Sequence, residues 1–99
     1  MDYSRLSAVK PRFIYAHASG FGEQGSEKNK PGFDGISYWA RSGLMAGLAL
    51  PGQQPVWMQY PALGDQVSGL VICGSVILVL FAREMTGNGQ EVHFGQFLF

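Results

Sequence analysis

Residues Gln66 to Ala82 carry no formal charge, and this stretch constrains the fold more than any other feature of the sequence. Its side chains are apolar on nearly all sides, which predicts a buried helix from Gln66 to about Glu84. A membrane-spanning helix needs roughly 20 apolar residues, whereas the apolar centre, Leu70–Phe81, has 12. We therefore expect no membrane contact. A small non-enzymatic protein that uses helix 66–82 to bind a membrane or a partner remains the alternative.

Composition narrows the classes of protein further. The chain has 99 residues, enough for one domain at most. Its net charge is zero, so it lacks the basic surface that nucleic-acid binding requires. A single cysteine excludes an internal disulfide. Charged residues make up 14% of the chain, against about 25% in soluble domains, which is typical of a piece from the interior of a larger protein. The first ten residues contain charges and no apolar run, so we expect no secretory signal and a cytoplasmic location.

The remaining segments predict a mixture of helices and strands, and hence an α/β fold. Asp34 is a candidate N-cap for the second helix. The predicted elements are a short helix Met1–Lys10, a buried strand Phe13–Ala18, a turn Ser19–Gly22, an exposed loop Glu23–Lys30, a helix Asp34–Leu48, a long loop Gly47–Pro61, a turn Thr86–Gly89 and a strand Glu91–Phe99.

Asp65, between Gly64 and the long apolar helix, is the main candidate for chemistry. One interpretation is a helix N-cap, for which aspartate is favoured. The other is a nucleophile, because a helix N-terminus stabilises the carboxylate anion and carboxylates form covalent intermediates. His17 and His93 have no further ligand at metal spacing, so no metal site is predicted.

Five blocks of the sequence, in order, resemble the class III CoA-transferase family (the CaiB/BaiF or formyl-CoA transferase group). The blocks are Pro11–Ala16 with Ser19–Gly22, Lys30–Asp34, Ser42–Met45, Gly64–Leu70 and Arg83–Val92. The resemblance implies a fragment of the Rossmann-like large domain of an interlocked homodimer. Residues 1–99 would then lack the N-terminal CoA-binding part and the C-terminal part, and the fragment alone would be inactive.

The resemblance also implies roles for particular residues. Asp65 matches the family's nucleophile, which attacks an acyl-CoA thioester to give a mixed anhydride and then an aspartyl-CoA thioester, from which a second carboxylic acid takes the CoA. The family's CoA contacts fall on Lys30, Pro31, Gly32 and Phe33. Acyl-CoA and the acid are substrates, and no tightly bound cofactor or metal is implied.

Phe33 distinguishes this chain from a sister branch of the family, the α-methylacyl-CoA racemases. Those enzymes have a histidine before the aspartate as one of two acid/base groups, and here Phe33 precedes Asp34. Because phenylalanine cannot transfer a proton, racemase activity is disfavoured.

Overall fold

The computed structural model describes residues 2–98. Along the chain it contains helices, two strands, a π-helical segment and a final 3-10 turn, in this order: α1 Tyr3–Val9, β1 Tyr15–Ser19, π1 Asp34–Ala40, α2 Leu44–Gly47, α3 Leu63–Thr86, β2 Glu91–Gly95 and the 3-10 turn Gln96–Leu98. The predicted first helix is confirmed as α1, capped by the Asp2 carboxylate, which accepts a hydrogen bond from the Arg5 N–H at 3.1 Å. The ends of two predicted elements, at Met1 and Phe99, lie outside the described residues.

Strands β1 and β2 pair in parallel, with Tyr15 opposite Glu91 and Ser19 opposite Gly95. Parallel neighbours need a crossover connection, and α3 lies on that connection, so the mixed helix-and-strand prediction is confirmed. The first strand begins two residues later than predicted, because the Phe13 N–H donates to the Lys10 carbonyl in a turn. Its predicted burial is wrong: the three central residues of β1 are exposed, and within the described chain the sheet that contains β1 has two strands.

Helix α3 confirms the predicted long apolar helix but starts three residues earlier, at Leu63, and ends at Thr86, where Gly87 forms the C-cap with a left-handed φ of 80°. The prediction that this helix is buried is wrong. Leu70 is 75% exposed and Phe81 is 68% exposed. One side of α3 packs on the strands and π1, and nothing in the described chain covers the other side. By length and composition alone, α3 could cross a membrane.

The segment predicted as one helix, Asp34–Leu48, is instead π1 followed by a break and the short helix α2. In π1 the Arg41 N–H donates to the Ile36 carbonyl five residues back. Gly43 then adopts a φ of 91°, which ends the right-handed path before α2. Asp34 is not the N-cap. Phe33 occupies that position without a side-chain bond, and Asp34 is the first residue of π1.

The core is small and lies where π1 meets the turn after β1. Phe21, Tyr38 and Trp39 are each 7% exposed. The Trp39 indole N–H donates to the Val56 carbonyl at 2.7 Å, which fixes the predicted loop after α2 to π1. The molecule measures 55 × 27 × 19 Å with a radius of gyration of 16.7 Å, against about 13 Å for a compact domain of this length. The elongated shape is why so much of α3 is exposed.

Candidate active site

Asp65 is the third residue of α3, at the carboxyl ends of the two parallel strands. It lines a cavity of about 340 Å³ together with the end of β1, the 3-10 turn and the next turn of α3. Ligand sites in α/β folds lie at the carboxyl ends of parallel strands, and free N–H groups at a helix N-terminus stabilise a carboxylate. The lining residues are Ala18, Ser19, Gly20, Gly32, Asp65, Ser68, Gly69, Ile72, Phe94 and Gln96.

A buried amide holds the Asp65 carboxylate. Gln96 Nε2 donates to Asp65 Oδ1 at 2.9 Å, and Gln96 is only 7% exposed. Gln96 Oε1 in turn accepts a hydrogen bond from Ser37 Oγ at 2.6 Å, and Ser37 is fully buried. Asp65 Oδ2 accepts no hydrogen bond from the described residues, so one carboxylate oxygen is fixed and the other is available to a ligand.

Part of the cavity lining is formed where the backbone at Gly20 lies against the backbone at Gly32. A Cβ added at Gly20 would overlap Gly32, and one added at Gly32 would overlap Gly20. Glycine at both positions lets the turn after β1 lie directly against the segment before π1. Gly32 therefore lines the cavity beside Asp65, where its lack of a side chain allows close approach of the backbone.

Asp34 and Gly64 fix the start of α3. This helix begins after Ala62, which has no side-chain cap and a left-handed φ of 60°. Asp34 Oδ1 replaces the missing cap by accepting from the Gly64 N–H at 2.8 Å. Burial raises the pKa of Asp34; the Gly64 N–H works against that rise, and the Asp65 charge adds to it. Asp34 Oδ2 is buried and accepts no hydrogen bond from residues 2–98.

The predicted N-cap role of Asp65 is wrong, because Asp65 lies three residues inside the cap and Asp34 bonds the free N–H instead. Of the four predicted CoA contacts, only Gly32 lines the cavity. Lys30 is exposed and donates to Glu27 Oε1 at 2.8 Å. Pro31 is exposed, and Phe33 is 67% exposed. Their contact with CoA stays a prediction.

His17 and His93 come together although they are far apart in sequence, because they occupy the same register position of β1 and β2. The Nδ1 atom of each lies 2.7 Å from Glu23 Oε1. Two imidazoles and a carboxylate are ligand types that Zn²⁺ accepts, and the three ligand atoms lie within 4.8 Å of one another, so this exposed group could hold a metal ion. The sequence offered no further ligand near either histidine, whereas the structure places both beside Glu23; the absence of a metal site stays a prediction.

Three residues of the site were missed by the sequence reasoning. Gln96, Ser37 and Ser68 all touch the cavity or the residues that hold Asp65. Ser68 Oγ is buried one turn after Asp65 and has no hydrogen-bond partner among the described residues. A strand ending at Gly95 would have placed Gln96 at the ligand-binding edge of the sheet, whereas the predicted strand continued to Phe99.

Comparison with known proteins assigns the family. The model for CoA-transferase family III matches residues 1–98. This chain belongs to CoA-transferase family III. Among curated relatives, the family III chain is 33% identical over 92 residues to cinnamoyl-CoA:phenyllactate CoA-transferase of Clostridium sporogenes. It is 33% identical over 96 residues to acetyl-CoA:oxalate CoA-transferase of Acetobacter aceti. It is also 38% identical over 88 residues to the human α-methylacyl-CoA racemase.

Solved structures give the same family. A CaiB/BaiF family protein from Brucella suis matches 98% of the family III chain with a TM-score of 0.83 and 29% identity, over 25% of its own length. A protein from Mycobacterium tuberculosis matches 97% of the chain with the same TM-score and 27% identity, over 27% of its length. The first two curated matches cover 93% and 97% of this chain but only 22% and 24% of those proteins. The chain thus spans about a quarter of the length of its relatives.

Proposed function

We propose that this chain carries the nucleophile of a CoA-transferase that moves CoA between an acyl-CoA thioester and a carboxylic acid. The observation that supports this most directly is the placement of the Asp65 carboxylate in a cavity at a helix N-terminus. Its Oδ1 accepts a hydrogen bond from Gln96, and its Oδ2 accepts none from the described residues. A carboxylate held in this way presents one oxygen to an electrophilic carbonyl. The names of relatives, such as acetyl-CoA:oxalate CoA-transferase, describe the same class of reaction.

The proposed reaction uses Asp65 twice. Oδ2 attacks the thioester carbonyl, the C–S bond breaks, and CoA leaves as a thiolate with the electron pair. The thiolate attacks Cγ of the resulting anhydride and releases the donor acid as its carboxylate, which leaves an aspartyl-CoA thioester. The acceptor carboxylate then attacks Cγ and expels the thiolate, and the thiolate takes the acyl group from the second anhydride. Asp65 is regenerated without net proton transfer or a redox change.

CoA recognition is proposed for the segment Lys30–Phe33. Gly32 lines the Asp65 cavity, and Lys30 lies on the exposed surface outside it. A lysine in that place suits a phosphate of CoA, at the cost of its ion pair with Glu27. Phe33 supplies no proton donor or acceptor, so the residue at this position favours CoA transfer over the racemase chemistry of a relative.

The larger assembly is also part of the proposal. The chain would be a middle stretch of a Rossmann-like large domain in a cytoplasmic homodimer, and the 99 residues alone would not catalyse transfer. Two observations support this. The chain spans about a quarter of its relatives. One side of α3 is an uncovered apolar stripe, formed by Leu70, Ile77, Leu78, Phe81 and Met85.

A membrane role for α3 is the second candidate, and the same exposed stripe favours it. The helix carries Asp65 in its first turn and Arg83 and Glu84 near its end. The uncharged part between them, Gln66–Ala82, has 17 residues, which is at the lower edge of the length that spans a bilayer, and it includes two serines and two glycines. We therefore assign the stripe to contact with protein.

Steady-state turnover with a panel of acyl-CoA donors and carboxylic acids tests the proposal in the full-length natural protein that carries this sequence. Asp65→Ala and Asp65→Asn should each lower kcat by at least about a thousandfold. Glu84→Gln removes an exposed carboxylate from the same helix and should leave kcat unchanged. Turnover by Asp65→Asn at near the normal rate would show that the nucleophile is another group.

A further inference from the structure

We propose that Gln96 is a catalytic hydrogen-bond donor to Asp65, a role that rests on the proposed function. Gln96 is 7% exposed, and its amide joins two groups: Nε2 donates to Asp65 Oδ1 at 2.9 Å, and Oε1 accepts from Ser37 Oγ at 2.6 Å. Ser37 is fully buried, whereas Asp65 is exposed and lines the cavity, so the buried amide of Gln96 runs from the interior to the site. The amide thus ties the nucleophile to the interior of π1.

The orientation of the amide follows from its partners. A carboxylate accepts hydrogen bonds and does not donate them, so Asp65 needs the NH₂ end of Gln96. Ser37 has a single hydroxyl proton, which can go to Gln96 Oε1 at 2.6 Å or to the Phe33 carbonyl at 3.0 Å. The shorter contact favours Gln96. With Oε1 held in this way, the NH₂ group can only face Asp65, so the donor is in place before substrate binds.

This donor acts on an atom whose charge changes during the reaction. When Oδ2 bonds to the acyl carbon, Oδ1 becomes the carbonyl oxygen of the anhydride. When the CoA thiolate then adds to Cγ, negative charge returns to Oδ1. Oδ1 loses this charge again when the Cγ–Oδ2 bond breaks and the donor carboxylate departs. A fixed N–H at Oδ1 stabilises that charge, as oxyanion donors do, and removal of one such donor costs about 10²–10³ in rate.

Two substitutions in the full-length natural protein test this role. Gln96→Leu keeps the bulk and removes the donor, and it should lower kcat about 10²–10³-fold with little change in KM. Gln96→Glu keeps the shape and restores a donor only while the introduced carboxyl is protonated. Two carboxyls in contact resist joint ionisation, so Gln96→Glu should be active at acidic pH and lose kcat as pH rises.

Gln66→Glu is the matched control, because it adds the same charge beside Asp65 in sequence at an exposed position. Its kcat–pH profile should follow that of the wild type. Circular dichroism and thermal unfolding establish that each variant is folded. The proposal is overturned if Gln96→Leu stays within tenfold of the wild-type kcat, or if the profiles of Gln96→Glu and Gln66→Glu coincide.

Asp65→Asn in the same assay separates the two levels of inference. If Asp65→Asn is inactive and the kcat–pH profiles of Gln96→Glu and Gln66→Glu coincide, only the role of Gln96 is contradicted. An active Asp65→Asn enzyme contradicts the nucleophile itself, and with it the role of Gln96.

Discussion

Gly64 is where the structure makes its sharpest prediction about stability. A Cβ at this position would come closer than 3.0 Å, a separation that real Cβ atoms essentially never show, to Asp34 Oδ1 and to Cβ and Cγ of Tyr38. The near end of a buried tyrosine cannot swing away, so Gly64→Ala must push the start of α3 away from π1. The same movement breaks the hydrogen bond from the Gly64 N–H to Asp34.

The size of the effect follows from three contributions. Overpacking of this kind costs about 1–3 kcal/mol. Loss of a hydrogen bond to a charged group costs about 1.5–3 kcal/mol. Alanine offsets at most about 1 kcal/mol through its helix propensity. We therefore expect Gly64→Ala to lower the free energy of unfolding by about 2–5 kcal/mol.

Gly47→Ala in α2 is the matched control, because it makes the same change in a helix where no atom lies within 4 Å of the new Cβ. It should be neutral or stabilise by up to about 1 kcal/mol. Urea unfolding of the full-length natural protein, followed by circular dichroism, measures both variants. A Gly64→Ala variant as stable as Gly47→Ala would refute the packing of π1 against the start of α3.

Two further predictions concern the strands and α3. Partial burial lowers the pKa of His93, but hydrogen bonds to Glu91 and Glu23 raise it more, so it lies above its ordinary 6.5. The charged form of His93 therefore contributes stability below pH 6.5, and this stability is lost as pH rises through the raised pKa. An NMR titration should show a lower pKa of His93 in Glu23→Gln and an unchanged pKa in the control Glu84→Gln. Carbonate extraction of cells that express the natural protein should leave it in the supernatant, since the apolar stripe of α3 is assigned to protein contact, and retention in the membrane pellet would favour the alternative.

The sequence predicts the elements of this fold better than their surroundings. The apolar period of α3, the glycine after it and the strand residues of β1 and β2 depend on local chemistry, and the structure agrees with them to within a few residues. The burial of α3 and β1 was wrongly predicted because burial depends on what packs beside an element. Within the described chain, α3 has neighbours on one side only.

The residues of the candidate site also differ in how far the sequence could predict them. Asp65 could be found from the residues beside it, because a carboxylate at a helix start has a local signature, whereas Gly32 was implied by the resemblance to the family. Gln96 and Ser37 could not, since their roles arise only when the end of β2 meets π1 and the start of α3. The pairing of His17 with His93 likewise requires the register of two strands that lie far apart in the sequence.

The covalent intermediate on Asp65 tests the central claim most directly. The full-length natural protein is incubated with an acyl-CoA donor in the absence of acceptor, quenched in acid, digested and examined by mass spectrometry. The account predicts a CoA thioester on the peptide that contains Asp65. This adduct should disappear when an acceptor acid is added and be absent from Asp65→Asn. A CoA adduct on any other residue, or transfer that proceeds while Asp65 stays unmodified, would contradict it.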